Sequence, residues 1–202
     1  IKVPLLEAET EGIWARLLSF YASSGFGQFC LPEVGDEVIL GYLNNDPCYP
    51  VIIGSVYSSN KQPPYAAEAA NNIKAFVSRT KLTLEYDEEK KKISIFTPAG
   101  NKAVLDDDSK TILLQDQHGN KVELSDSGIL LDSPKDISLN AKGKISLQAV
   151  GNVELAAKAD FKAGALNISQ QANVSFTAKG SASAELSASG QTTVKGALVM
   201  IN

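Results

Sequence analysis

The amino-acid sequence predicts an all-β protein, in which a small closed barrel is followed by an intertwined homotrimeric triple-stranded β-helix. Residues 134–202 repeat with a step of eight, which slips in phase near Gly164, and each unit alternates apolar and polar residues as a strand with one buried face does. Turn pairs such as Lys-Gly and Ser-Gly separate the units. Residues 1–57 contain short strand-like runs separated by Gly and Pro turns, a pattern typical of a small barrel.

The eight-residue unit is too short to enclose its own apolar side. Eight extended residues span about 26 Å, and part of that length forms the turn. Three chains wound about one axis would supply three walls with about 24 residues per layer, and would leave no open sheet edge. We therefore expect a homotrimer, with a single-chain solenoid as the alternative. In the trimer each core layer would consist of three copies of one apolar side chain, taken from Ile137, Leu139, Ile145, Leu147, Val153, Leu155, Phe161, Ile168, Val174, Phe176, Leu186 and Val194.

The composition limits the classes of partner. The chain has 202 residues, of which 44% are hydrophobic and 21% charged, and its formal net charge is −4. An acidic chain is a poor match to nucleic acid or to an anionic membrane surface, so we expect neither as the main partner. No apolar run approaches the roughly 20 residues of a membrane helix. Because the chain opens at Ile1 without Met or an apolar leader, we expect no signal peptide and a further portion upstream.

Residues 1–57 carry several short motifs in a fixed order. Residues 12–18, 36–42 and 51–57 are typical of strands. The motifs are Trp14-Ala-Arg16, Gly25-Phe-Gly27, Pro32-Glu-Val-Gly-Asp-Glu-Val38, Gly41, Asp46-Pro47, Pro50-Val-Ile-Ile-Gly54 and Tyr57. As an ensemble they resemble the oligosaccharide/oligonucleotide-fold (OB) barrel of the VgrG and tail-spike family, the central spikes of contractile injection systems.

An OB barrel suggests nucleic-acid binding, which would require a basic groove with stacking aromatic side chains. Only Lys2 and Arg16 are basic among the first 57 residues, and acidic residues outnumber them. We therefore expect no nucleic-acid binding. The aromatic residues of this segment are expected to form the barrel core, namely Trp14, Phe20, Phe29 and Tyr42.

The residues able to carry chemistry are few. Cys30 and Cys48 are expected to be small buried apolar residues rather than a disulfide. His118 lies between two strand-like runs and is expected in a turn. Clustered carboxylates at 106–108 could attract a cation, but without EF-hand spacing they favour a solvated turn. We predict no catalytic residue, no cofactor and no metal site.

The remaining chain divides into three predicted parts. Residues 58–75 are a polar, Pro-bearing linker in which residues 66–70 could form one helical turn, and no lysozyme domain like that of some family members fits there. Residues 76–133 have longer repeats, with strand cores at 82–84, 93–95, 112–114, 122–124 and 129–131, and are similar to the upper needle of the same family. Residues 134–202 form the octad needle and its tip.

The resemblance implies a structural, membrane-piercing spike rather than an enzyme. The injection system would be type VI secretion, a phage-tail-like particle or a phage baseplate. The resemblance also implies hub, tube and baseplate proteins at the N-terminal end, with a hub domain upstream of Ile1, and a target cell envelope. The chain would be assembled in the cytoplasm and leave as part of a secreted or extracellular contractile particle.

The C-terminal residues form the predicted tip. Residues 196–202 have no charged side chain, and a trimer would triple their apolar side chains into a platform. The resemblance implies a cap of the PAAR-repeat type as partner, bound by Leu198, Met200, Ile201 and Asn202. A self-contained last layer is the alternative. Other functions left open are a carbohydrate-active or polysaccharide-binding β-helix protein and a trimeric tail fibre.

Overall fold

The computed structural model describes residues 1–3 and 12–201. Over these ranges the protein is all-β, as predicted, with ten strands and one short 3-10 turn at Leu43–Asn45. Contacts between Cα atoms divide the chain into two units, Ile1–Asn140 and Ala141–Asn202. Among the described residues no helix has the length and apolarity required to cross a membrane.

The first sheet has three strands in the order β1-β3-β2. Its strands are β1 (Arg16–Leu17), β2 (Val38–Tyr42) and β3 (Pro50–Ser55). β1 runs parallel to β3, and β2 runs antiparallel to it with a bulge between Ile39 and Leu40. The three strands predicted in this segment are therefore present, although the first is shortened to two residues.

One correction concerns the predicted barrel core. Trp14 and Phe20 are 98% and 100% exposed, Phe29 is largely exposed, and Tyr42 is about half exposed. The prediction that these rings fill a core is wrong for the single chain. The physical reason is that a three-stranded sheet offers no second layer against which the rings could pack.

A second correction concerns the cysteines. Cys30 and Cys48 are exposed free thiols, so the prediction that both are buried is wrong. They lie in the loops before and after β2, where the described chain forms no core around them.

The second sheet is a seven-stranded antiparallel meander in which each strand pairs with the next along the chain. Every strand has five residues. The strands are β4 (Ile73–Val77), β5 (Thr83–Asp87), β6 (Lys92–Phe96), β7 (Lys102–Asp106), β8 (Thr111–Gln115), β9 (Lys121–Ser125) and β10 (Gly128–Asp132).

Five of these strands overlap the predicted strand cores, and β4 and β7 were not predicted. β4 begins inside the segment predicted as a linker, and no helical turn forms at 66–70. Ala75 and Ala103 lie in these two strands, and alanine is a weak strand former that blurs the apolar alternation.

The register of the meander sorts its side chains by face. Directly paired residues point to the same side of a sheet and successive residues to opposite sides. One side, here called the apolar face, therefore carries Phe76, Leu84, Tyr86, Ile93, Ile95, Ala103, Leu105, Ile112, Leu114, Val122, Leu124, Ile129 and Leu131. The opposite side, here called the polar face, bears rows of charge in which Lys92 lies between Asp87 and Asp106.

The described chain has almost no buried interior. Apart from Pro50, no hydrophobic residue in the described ranges is buried, and the other buried residues are Asp87 and Ser94. The apolar face is accordingly exposed; Leu114, for example, is 54% accessible. A single-layer sheet of this kind requires a second layer on its apolar face to be stable in water.

The described residues after Asp132 form no strand. From 134 to 201 every residue is exposed, and the backbone groups of this stretch make no hydrogen bonds with one another. The predicted octad strands are thus unpaired within one chain. The prediction was that the octads pair as strands between chains, and this pairing remains a proposal.

Candidate interaction surfaces and the turns that support them

The hairpin turns along one edge of the meander share a hydrogen-bonding pattern. The side-chain oxygens of Ser78, Thr97 and Asp116 accept the backbone N–H of the residue four positions later, at 3.0, 3.2 and 2.9 Å. These three residues are spaced 19 positions apart. The left-handed position of the same turns recurs with the same spacing, at Lys81, Gly100 and Gly119.

In the hairpin turns on the opposite edge of the meander, carboxylates accept the backbone N–H groups. Asp87 and Asp106, again 19 residues apart, each accept a backbone N–H at 3.0 Å, from Lys90 and Ser109 respectively. These backbone hydrogen bonds are the main reason why the pKa of each carboxyl is lowered from its ordinary value. Asp106 thus has a structural role in its turn. Among the residues described, no three His, Cys, Asp or Glu side chains converge as metal ligands.

The turn that contains His118 agrees with its prediction. Asp116 accepts the backbone N–H of His118 at 2.9 Å and the side-chain amide of Asn120 at 2.7 Å. The Asn120 amide is the main cause of a lowered pKa at Asp116. His118 itself contacts the amide of Gln117, its neighbour in the turn. It is a turn residue.

Side chains also connect successive turns on this edge. Asn101 accepts the backbone N–H of Gln117 at 3.0 Å, which links the β6–β7 turn to the β8–β9 turn. The hydroxyl of Ser133 donates to Asn120, and the same oxygen accepts the backbone N–H of Lys135 at 3.0 Å. This chain of hydrogen bonds continues past β10 and positions the segment that follows it.

The linker is held on the polar face. The Tyr65 hydroxyl donates to Glu85, and this hydrogen bond raises the pKa of Tyr65 to about 12. Glu85 pairs in register with Ser94, whose hydroxyl is buried and has no hydrogen-bond partner within the described chain. The linker therefore lies on the side opposite the apolar face, which remains open.

Two ion pairs connect the first sheet's loops to neighbouring segments. Lys61 contacts Asp36 at 2.8 Å, and its hydrogen bond is the main cause of a lowered pKa at that carboxyl. Arg79 of the β4–β5 turn contacts Glu33 at 3.1 Å. Because these pairs are solvated, they orient the loops more than they stabilise the fold.

A groove of about 740 Å³ lies on the apolar face. Its lining includes Ile95, Ala103, Leu114, Val122 and Leu131, which form one cross-strand row of the face. Residues from the turns 97–101 and 116–120 and from the segment 133–137 also line it, together with the strand-end residues Lys102, Gln115, Lys121 and Asp132. The groove is thus an apolar surface with a polar rim, which is typical of an interaction site.

The described chain does not bring the predicted trimer-core residues together. Each is exposed, from 53% for Ile145 to 98% for Val174. The full set comprises Ile137, Leu139, Ile145, Leu147, Val153, Leu155, Phe161, Ile168, Val174, Phe176, Leu186 and Val194. Of the predicted tip residues, Leu198, Met200 and Ile201 are likewise exposed, and Asn202 lies outside the described residues.

The apolar face of the meander was not predicted from the sequence as an interaction surface. Its signal is the 19-residue period, visible in Thr97-Pro-Ala-Gly-Asn101 and Asp116-Gln-His-Gly-Asn120, which share a turn pattern of oxygen-bearing residue, two spacers, Gly and Asn. Two strands fall within each period, so the apolar residues on either side of these motifs alternate onto one face.

Comparison with known proteins gives a family match for the N-terminal part. Residues 1–57 match the family described as the type VI secretion system/phage-baseplate injector OB domain. The chain is 27% identical over 117 residues to the type VI secretion system spike protein VgrG3 of Vibrio cholerae, a match that covers 54% of this chain and 12% of that relative.

Two shorter matches have higher identity. The actin cross-linking toxin VgrG1 of Vibrio cholerae is 39% identical over 57 residues, covering 28% of this chain and 5% of the relative. The spike protein VgrG1a of Pseudomonas aeruginosa is 34% identical over 61 residues, covering 30% and 10%. The matched segments thus span 12% or less of the lengths of these relatives. The resemblance predicted from the motifs is confirmed: residues 1–57 match the injector OB domain family, and the chain is similar to VgrG spike proteins.

Proposed function

We propose that this chain is a structural, membrane-piercing part of the central spike of a contractile injection system, and that it acts as a homotrimer. The observation that carries the proposal is the largely exposed apolar surface of the described chain. The meander has one apolar face without a second layer, and the octads that follow have neither backbone pairing nor burial. Three copies packed about an axis would bury both surfaces at once.

The relatives support the same role. Two of the similar proteins are named as type VI secretion system spike proteins, and the matched domain is described as an injector domain. One relative is named as an actin cross-linking toxin, but the match to it covers only 28% of this chain. We assign this chain a mechanical role without catalysis of its own.

The proposed mechanism depends on the mechanical rigidity of the spike. A spike at the head of a contracting tube has to resist bending and local unfolding while it crosses an envelope. Backbone ladders that continue from chain to chain around a closed cross-section resist both, because no sheet edge is left from which the structure could fray. The polar face of the meander, with Lys92 between Asp87 and Asp106, would form the solvated outside of each wall.

Partners are proposed for the two ends. Hub, tube and baseplate proteins would bind at the N-terminal end, and the particle would be assembled in the cytoplasm before it acts on a target envelope. At the C-terminal end Leu198, Met200, Ile201 and Asn202 would form a tripled platform for a tip protein of the PAAR type. The exposure of the first three is compatible with this role.

Oligomeric state under mutation tests the proposal. Leu147 is an apolar octad position, so Leu147→Lys would place three charges in one core layer and cost about 3 kcal/mol or more for each unpaired charge. We expect this variant to lose the trimer, measured by light scattering and native mass spectrometry. Ser146→Lys, one residue earlier on the predicted outer side, is the matched control and should remain a trimer. A monomeric, well-folded parent protein would refute the proposal.

A further inference from the structure

We propose that the outer edge of β10 in one copy pairs with residues 137–140 of a neighbouring copy. The chain would then change partners within residues 133–136, here called the crossover segment. Before it, each strand pairs with strands of its own chain; after it, strands pair between chains. This inference rests on the proposed trimer and adds to it the position at which the intertwining begins.

The first observation is the open edge of β10. Gly128–Asp132 pairs with β9 along one side, and its other edge has no partner within the described chain. All five residues of the strand are exposed. An open edge bearing apolar residues such as Ile129 and Leu131 is a template for another strand, and proteins normally cover such an edge. β10 therefore requires a strand that the described chain does not supply.

The second observation is the path of the crossover segment. Ser133 donates a hydrogen bond to Asn120, and the Pro134 ring lies beside Gly119, where a Cβ would be 3.9 Å from its Cγ. Both contacts are with the turn between β8 and β9. Ser133 and Pro134 therefore continue the register in which Asp132 faces Lys121, and the chain runs on along the β8–β9 turn instead of reversing into a hairpin against β10.

The third observation is where this path leads. Ile137 lines the groove on the apolar face together with Ile95 of β6 and Ala103 of β7. The groove is also lined by Val122 of β9 and Leu131 of β10, so the start of the first octad lies against the apolar face of its own sheet, and the outer edge of β10 stays unpaired in the described chain. Pro134 also removes a backbone donor at the point where a hairpin would need one. Self-pairing of residues 137–140 with β10 is thus opposed by the geometry of this chain.

The same four residues fit the edge of another copy. Ile137 and Leu139 repeat the alternation of Ile129 and Leu131, so they would extend the apolar face by one strand, with Ser138 on the polar side. Residues 137–140 carry no charge, and no backbone partner holds them within the chain. Every copy has an open β10 edge and an unpaired segment at 137–140, so donation of this segment around a three-fold axis would cover the β10 edge of all copies and then close.

Disulfide trapping tests the crossover. In a background with Cys30→Ser and Cys48→Ser, one variant combines Leu130→Cys with Ser138→Cys and a second combines Leu130→Cys with Asn140→Cys. Leu130, Ser138 and Asn140 alternate with the apolar residues and would therefore lie on the polar side. Ser138 would face Leu130 in one register of strand pairing, and Asn140 would face it in the register shifted by two residues. After mild oxidation we expect covalently linked trimer as the main species of at least one variant on a denaturing gel. Leu130→Cys with Ser146→Cys, one octad later, is the matched control and should not become linked.

The possible outcomes separate the two proposals. A native trimer that yields an internal disulfide at the mass of one chain would overturn the crossover and leave the trimer intact. A native trimer in which neither variant becomes linked would overturn the crossover as well. A native monomer before oxidation would overturn the trimer itself and the crossover with it. Native mass measured on the reduced variants assigns each result to one of these cases.

Discussion

At the scale of single residues, the meander depends on turn positions rather than on buried side chains. Ser78, Thr97 and Asp116 each accept a backbone N–H from the residue immediately before the next strand. In the middle of each turn one residue adopts a left-handed backbone. Gly100 and Gly119 do so at little steric cost, whereas a residue with a Cβ at the same φ carries strain.

Gly119→Ala tests this dependence on the turns. Gly119 has a φ of 90°, and a Cβ there would meet only Pro134 at an ordinary 3.9 Å, so backbone strain is the main expected effect. We expect a loss of about 1 kcal/mol in the free energy of unfolding per chain, seen as a lower midpoint of thermal unfolding. Gly54→Ala is the control, because Gly54 is not left-handed and a Cβ there meets nothing within 4 Å. Equal midpoints for the two variants would contradict the turn argument.

At the scale of elements, the meander is a wall with two unlike sides. Its apolar face is continuous across all seven strands, and its polar face holds the linker through Tyr65 and Glu85. The strand pairing inside one chain is complete from β4 to β10, which makes this sheet the part of the described chain with the most internal hydrogen bonding. What it lacks is a second layer.

Neighbouring residues of β8 provide a test of this sidedness. Leu114 points to the apolar face, and Gln115, the next residue, points to the polar face. Leu114→Glu would place a carboxylate in each of three facing walls, at a cost of about 3 kcal/mol or more per unpaired charge. We expect it to abolish the trimer in analytical ultracentrifugation, while Gln115→Glu retains it. The same oligomeric state for both variants would show that the apolar face is not the inner face.

At the scale of the whole molecule, folding and association should be one process. Apart from Pro50, no hydrophobic side chain of the described residues is buried by a single chain, and in the proposed trimer the apolar burial that drives folding would come from contacts between copies. Interlocked strands can separate only after many hydrogen bonds break together. The stability of such an assembly is therefore expected to be kinetic.

Refolding from denaturant makes this expectation measurable. If folding requires association, the rate at which strand signal returns in circular dichroism should rise with chain concentration. We expect at least a several-fold acceleration over a tenfold increase in concentration, together with an unfolding midpoint that shifts with the heating rate. Refolding at a rate independent of concentration would indicate a chain that folds alone, and would argue against the trimer.

The sequence predicted the all-β class and five of the meander strands, because apolar triplets such as 93–95 and 122–124 carry the two-residue period by themselves. It missed β4 and β7, where Ala75 and Ala103 weaken that period. It also misplaced the aromatic residues 14, 20 and 29, since composition alone does not show whether a ring has a layer to pack against.

What the sequence by itself determined is local: turn chemistry, strand period and the motifs of residues 1–57, all of which depend on neighbours along the chain. What only the tertiary structure decided is which side chains share a face, because face membership depends on the register of seven paired strands. The path of residues 133–137 was likewise decided by contacts distant in sequence, from Ser133 to Asn120 and from Ile137 to the groove shared with Ile95.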